Sequence, residues 1–320
     1  KESSAASDVY KRQPTSAAAS TTNRLCGSSL QGVAQACHSI MAGAEDVHVV
    51  AGVEHMQHLP MDSEIDFHPR AFSGSSRAVL SMGLTAEYLA ASRGISRRLQ
   101  EEYALESHRR AAHATETGFF KKEIIACPGL NTNGVFTVVD RDQSIRSDTS
   151  LAAMGRLSPA FLPRIGSVTA ATSAPLSDGA AAMVVMSEAA AMRLGLTPLV
   201  RVVSTAVVGV SPALMGLGPV YATRKVLHRS GIDLREIEII ELNEAFAVQV
   251  LACMNELELD HEVVNIHGGS LAIGHPLGAS GVRIATTLIH TMRDRHARLG
   301  LATMCIGFGQ GIAVIFELVE

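Results

Sequence analysis

Cys26 stands in Asn23-Arg24-Leu25-Cys26-Gly27-Ser28-Ser29, directly ahead of a segment whose apolar residues fall at Leu30, Val33, Ala34, Cys37, Ile40 and Met41. That spacing puts one apolar face on a helix. The thiol then lies at or just before a helix N-terminus, where unpaired backbone N–H groups and the helix dipole favour thiolate over thiol. A thiolate there is a candidate nucleophile. A small buried core cysteine fits the same residues.

Three further residues could share in nucleophilic chemistry. Asn243 opens Asn243-Glu244-Ala245-Phe246. His275 sits in Gly274-His275-Pro276-Leu277-Gly278-Ala279-Ser280-Gly281, and Cys305 begins Cys305-Ile306-Gly307-Phe308-Gly309-Gln310-Gly311. Each alone has a plain structural reading: His275 as a turn residue before proline, Cys305 as core at a strand end, Asn243 as the cap of a helix starting at Glu244. In this order, with Cys26, the four segments resemble the thiolase family, and the set is far more specific than any member. Val53-Glu54-His55-Met56, Met82-Gly83-Leu84-Thr85-Ala86-Glu87 and Ala302-Thr303-Met304-Cys305 are similar to the 3-ketoacyl-CoA thiolases of bacterial fatty-acid β-oxidation. The resemblance runs from about Thr21 to the C-terminus.

It implies thiolytic cleavage of 3-ketoacyl-CoA by CoA, giving acetyl-CoA and a shortened acyl-CoA. Cys26 suits the nucleophile, since a thiol attacks readily and leaves a thioester intermediate. His275 suits the base that takes its proton. Cys305 suits the acid that protonates the departing enolate and later deprotonates the incoming CoA thiol. The resemblance further implies that His275 and a water held by Asn243 polarise the CoA thioester oxygen. The backbone N–H groups of Cys26 and Gly307 would face the oxygen of the attacked group. Each such donor contributes about 3 kcal/mol in the transition state.

The same resemblance assigns Arg146, Ala170, Ser173 and Met82 to CoA and substrate: Arg146 beside the adenine ring, Ala170 by backbone contact to pantetheine, and Met82 at the acyl pocket. The family usually has glycine at 171 and serine at 174. Here both are alanine, and Ser158 stands where an arginine is frequent, so weaker CoA binding is expected. CoA is a co-substrate; no cofactor and no metal are expected.

Composition sets outer bounds. A chain of 320 residues, 47% hydrophobic and 18% charged, has ample material for a core. Its net charge of −4 gives no electrostatic case for nucleic acid. Five cysteines without framework spacing fit reduced thiols and a cytoplasmic location. No CxxC pair or HExxH motif suggests zinc, and the histidines around Glu54, His55 and His58 read as loop residues. No apolar run approaches a membrane span.

The elements that must position these residues read as α/β. Val47–Gly52 and Ala180–Met186 are apolar strands, flanking a more polar excursion over about 54–168 with a helix near Ile95–Ala114. After a linker at Pro198, strands fit Val200–Val208, Ile237–Leu242, Val263–His267, Leu299–Ile306 and Ile312–Leu318. Helices fit Thr223–Ser230, Glu244–Leu257 and Val282–Arg295. Slid against itself by 251 positions (278 − 27), the chain superposes Gly27, Ser29, Ala34 and Met41 on Gly278, Ser280, Ala285 and Met292. Two similar mixed-sheet halves, 23–197 and 198–320, with a loop domain inserted in the first, are what the thiolase resemblance implies.

It also implies strands and a helix upstream of the nucleophile. Residues 1–22 carry no strand-like run, so they read as disordered or foreign and the N-terminal half as truncated. An exposed sheet edge, poor folding and aggregation would follow. A homodimer and docking to a hydratase/dehydrogenase subunit are the implied partners. A biosynthetic acetoacetyl-CoA thiolase and an inactive thiolase-like fragment are the alternative readings. A ketoacyl-carrier-protein synthase would carry a second His or Asn where Cys305 stands.

Overall fold

The computed structural model describes residues 16–58, 61, 76–130 and 133–319. Most of the stretch read as disordered or foreign lies outside the described residues. Residues 16–22 form neither helix nor strand, and Thr22 Oγ1 donates to Gln35 Oε1.

Helix α1 (Ser28–Met41) buries Leu30, Val33 and Ala34 of the predicted face, whereas Cys37 and Ile40 are half-buried and Met41 is exposed. Strand β1 (Val47–His55) follows. Residues 56–177 then carry α2 (Met82–Arg93), α3 (Arg97–Glu116), the hairpin β2 (Cys127–Leu130) and β3 (Phe136–Val139), and a single turn, α4 (Leu151–Met154). Ser96 Oγ caps α3 by accepting from Leu99 N. The chain returns as β4 (Asp178–Met186), antiparallel to β1, and continues into α5 (Glu188–Arg193).

The second half runs β5 (Val200–Gly209), α6 (Gly218–Ser230), β6 (Ile239–Leu242), α7 (Ala247–Leu257), α8 (Ser270–Ile273), α9 (Leu277–Arg295), β7 (Leu299–Ile306) and β8 (Gln310–Leu318). Its sheet order is β5-β8-β7-β6, with β6 and β7 parallel and the other pairs antiparallel. Every residue of β7 is buried, as a central strand covered on both faces requires. Helix α9 touches β1 and β4 on one side and β6 and β7 on the other, and α1 packs beside it. These two helices form a middle layer between the sheets.

The internal repeat has a structural counterpart. The order helix, strand, antiparallel strand occurs as α1-β1-β4 and again as α9-β7-β8. In the second unit only Gly307-Phe308-Gly309 joins the strands; in the first, residues 56–177 do.

Two expectations fail locally. Val263–His267 is not a strand. Val264 makes one parallel bridge to Ile240, and Asn265 then turns to φ 48 while its side chain pairs with both Leu242 N and Leu242 O. The amide substitutes for further backbone pairing. Asn243 also does not cap a helix at Glu244, because α7 starts only at Ala247. The buried Glu244 carboxylate accepts from Tyr103, Ser107, Asn265 and Leu271 N, and this network holds 243–246 extended.

Candidate active site

The two helices of the middle layer meet at their N-terminal ends. An added Cβ on Gly281 would stand 2.4 Å from Leu30 N, and Ser29 Oγ accepts from Val282 N at 3.0 Å. Cys26 lies two residues before α1 and His275 two before α9, so this packing places the loops carrying them side by side. Asn243 directly follows β6, where its N–H donates to Thr303 O on β7, two residues from Cys305. The candidate residues thus gather at the carboxyl ends of two parallel strands and the amino ends of two packed helices, a common place for ligand sites.

A tight turn presents Cys26. Asn23 Oδ1 accepts from Leu25 N, Ser28 Oγ accepts from Arg24 N and donates to Leu25 O, and Leu25 takes φ 50. A leucine in the left-handed region is strained, and such strain concentrates at functional sites. The backbone N–H groups of Gly307 and of Cys26 itself favour the thiolate form of the Cys26 sulfur. Cys305 lies close enough to Cys26 for a charge on one to disfavour a charge on the other.

The resting state of the thiol differs from the sequence expectation. Burial of the sulfur pushes the Cys26 thiol up to about 11, and the two amide donors offset this only in part. The Glu54 carboxylate, which accepts from Gly278 N at 3.0 Å, opposes the thiolate further. Desolvation outweighs the helix end. Cys305, 2% exposed, is raised well above the ordinary thiol range by burial and by the neighbouring Cys26 and Cys253.

His275 is held neutral. Burial, with the nearby Arg283 cation, pushes it down to about 3. Ser280 Oγ stands 2.6 Å from His275 Nδ1 and donates to Pro276 O at 3.0 Å. A hydroxyl has one proton; given to Pro276, it leaves the oxygen to accept from Nδ1–H. The Nε2 lone pair is then available as a base. Asn243 Nδ2 lies 3.4 Å from both ring nitrogens.

A cleft of about 2060 Å³ opens onto Cys26 and is bordered by Met82, Phe161, Ser173, Phe246 and Gly307 among others. Met82 and Ser173 border this cleft, Ser173 donating to Thr169 O. Arg146 and Ala170 are exposed and do not border it, and the buried Asn243, His275 and Cys305 do not border it either. Arg146 N donates to His108 Nδ1. Among the described residues, no cluster of three His, Cys, Asp or Glu could hold a metal ion.

Sequence reasoning missed Glu54, Ser270, Ser280 and Arg283. Ser280 lies inside a quoted motif, and its place five residues after His275 is a readable signal. Glu54 meets Gly278 across 224 positions, which leaves no local trace.

Known proteins match along nearly the whole chain. The thiolase N-terminal domain family matches residues 5–189 and the thiolase C-terminal domain family residues 196–318. The first match begins inside the stretch read as disordered or foreign. The 3-ketoacyl-CoA thiolase of Cronobacter sakazakii is 51% identical over 96% of this chain and 80% of its own length. That of Pseudoalteromonas translucida is 50% identical with the same coverage. The crystal structure of human mitochondrial 3-ketoacyl-CoA thiolase superposes with a TM-score of 0.87 at 35% identity, covering 96% of this chain and 80% of that one. The Bacillus anthracis acetyl-CoA acetyltransferase gives 0.88 at 34%, covering 98% and 82%. Matched by both of its domain families and by relatives at half identity, the chain belongs to the thiolase family.

Proposed function

We propose that this chain is a 3-ketoacyl-CoA thiolase, an acyltransferase that cleaves 3-ketoacyl-CoA with CoA in fatty-acid β-oxidation. The observation that carries the chemistry is the packing of α1 on α9, with Gly281 against Leu30 and Val282 N donating to Ser29 Oγ, which sets the loop of Cys26 beside the loop of His275. His275 Nε2 takes the Cys26 proton and the sulfur attacks the substrate's ketone carbon. The oxygen charge that forms meets the N–H groups of Cys26 and Gly307. The bond between C2 and C3 then breaks, leaving the shortened acyl group on Cys26 and an acetyl-CoA enolate. Cys305 gives its proton to the enolate carbon. In the second half, Cys305 takes the proton of the incoming CoA thiol. The CoA sulfur displaces Cys26 from the thioester, and His275 returns the proton to Cys26.

A neutral thiol beside a neutral imidazole suits this cycle. The nucleophile is deprotonated only as it attacks, which protects a buried sulfur from side reactions. Asn243, buried beside His275, serves the thioester oxygen of the leaving acetyl-CoA. Met82 lines the acyl pocket and Ser173 the CoA path, while Ala170 and Arg146, exposed outside the cleft, are assigned to CoA by the family resemblance alone.

The same reading takes the protein as a cytoplasmic homodimer that docks a hydratase/dehydrogenase subunit. The net charge of −4 speaks against a nucleic-acid partner, and no helix among the described residues is long and apolar enough to cross a membrane. The acetyl-CoA acetyltransferase similarity keeps biosynthetic condensation as the second reading; higher identity to the 3-ketoacyl-CoA thiolases favours the first. A CoA-dependent thiolysis assay across chain lengths decides. Turnover of medium and long substrates is expected, and activity confined to acetoacetyl-CoA would overturn it. Brief exposure to an acyl-CoA should add one acyl group, on Cys26, by mass spectrometry.

A further inference from the structure

Asn243 is 1% exposed and Ser270 is fully buried. Ser270 Oγ donates to Asn243 Oδ1 at 2.7 Å, and Arg283 Nη2 donates to Ser270 Oγ, also at 2.7 Å. A guanidinium has only donors, so this contact takes a lone pair of the hydroxyl and sets its direction. The single hydroxyl proton goes to the Asn243 carbonyl. The amide is thereby fixed with Nδ2 toward His275, 3.4 Å from each ring nitrogen. A flipped amide would leave the Ser270 hydroxyl proton without its acceptor and would turn a carbonyl oxygen toward the site. There it would repel the developing oxyanion instead of serving it.

Arg283 is in turn held from behind. Glu241 Oε2 lies 4.0 Å from Nη1, and the guanidinium is near enough to Glu123 and Asp142 to favour their ionised forms against burial. A cation polarises the hydroxyl it touches and strengthens that hydroxyl's own donation.

We propose that Ser270 and Arg283 are positioning residues for the cleavage step, a relay that fixes the orientation of the Asn243 amide. The inference rests on the reading of Asn243 as the donor that holds the water which, with His275, polarises the acetyl-CoA thioester oxygen. It separates the two half-reactions. Forming the acyl-Cys26 thioester from a simple acyl-CoA needs Cys26, His275 and Gly307. Breaking or making the carbon–carbon bond passes through the acetyl-CoA enolate and needs Asn243 as well.

The experiment measures two rates in the purified protein. One is exchange of labelled CoA into acyl-CoA, which reports thioester formation at Cys26. The other is thiolysis of 3-ketoacyl-CoA, with hydrogen exchange at the acetyl-CoA methyl group as its partial reaction. In Ser270→Ala, thiolysis and methyl exchange are expected to fall about tenfold or more in kcat, with KM and CoA exchange within about twofold of wild type. Arg283→Lys keeps the cation but loses the planar fork, and it should move the same rates in the same direction. It carries the test should Ser270→Ala fail to fold. Unchanged thiolysis in both variants, or equal loss of both half-reactions, overturns the relay. Asn243→Ala separates the two ideas: if it leaves thiolysis intact, the donor reading itself falls. If it is slow while Ser270→Ala is normal, only the relay does.

Discussion

His275 Nδ1 and Ser280 Oγ lie 2.6 Å apart, and the serine proton is committed to Pro276 O. The pair determines which imidazole nitrogen is the base. Ser280→Ala frees the ring to adopt the other tautomer, which carries N–H at Nε2 in place of the lone pair. We expect kcat to fall about 10- to 100-fold with KM little changed, measured by steady-state thiolysis. A loss confined to KM would show that Ser280 serves substrate binding instead.

Cys26 carries a thiol pushed up to about 11. Because the thiolate is the reactive form, alkylation of the free enzyme by iodoacetamide should accelerate about tenfold per pH unit from 7 to 10. Mass spectrometry of the Cys26 peptide gives the rate. A plateau near neutral pH would mean a preformed thiolate–imidazolium pair.

Gly281 is where α9 meets the backbone of α1 at Leu30. A methyl group there would force the helices apart. Gly281→Ala is expected to cost about 2 kcal/mol of stability, read from denaturant unfolding, and to slow acylation of Cys26 by shifting it from His275. Gly307→Ala makes a contrast, since its Cβ would meet only Leu25 and Met82 side chains at 3.4 Å. It should fold normally and act on the reaction.

Burial pushes the Glu241 carboxyl up to about 8, against the Arg283 cation that pulls it down. Glu123 is likewise raised by burial, to about 7. The folded state holds these protons more tightly than the unfolded chain, so their stabilisation is complete below pH 4.5 and is lost as pH rises to about 8. His275, lowered by burial to about 3, works the other way: its contribution is present above pH 6.5 and is lost as pH falls toward 3. Above pH 6.5 only the carboxyls remain in play. Urea unfolding should therefore show stability declining from pH 6.5 to 8.5, with a shallower decline in Glu241→Gln. Identical slopes would exclude Glu241.

On the two-stranded sheet, Val49, Val53 and Val184 are exposed at 68, 75 and 58%. Apolar strand surface of this kind drives association. Light scattering should detect concentration-dependent association of the chain, reduced by a Val49→Thr, Val53→Lys double substitution. Monodisperse protein with a cooperative unfolding transition would count against it.

Much of the frame was legible because its signals are local. The continuous apolar runs of β7 and β8 report burial directly, whereas the valines of β1 marked a strand of which only Val50 is buried. Cys26, His275, Asn243 and Cys305 were legible as motifs in order. What escaped depends on contacts between distant segments. The Cys26 thiol was read from the nearby helix end, whereas desolvation by residues far along the chain decides its state. Val263–His267 has strand-like residues, yet the Asn265 side chain ends the pairing after one bridge. Arg146 and Ala170 were placed by resemblance alone, and neither borders the cleft.

The His55 imidazole and the Asp178 carboxylate pair at 2.9 Å across the base of the excursion formed by residues 56–177. Its two ends thus leave and rejoin the framework at adjacent rungs, where the other half makes do with a three-residue loop. Tyr103 and Ser107, which hold Glu244, tie α3 to the site. Sequence can change in the exposed parts of the excursion, such as the β2–β3 hairpin, without disturbing the register beneath. Selection for a new acyl chain can act on that module while the sulfur chemistry below it stays fixed.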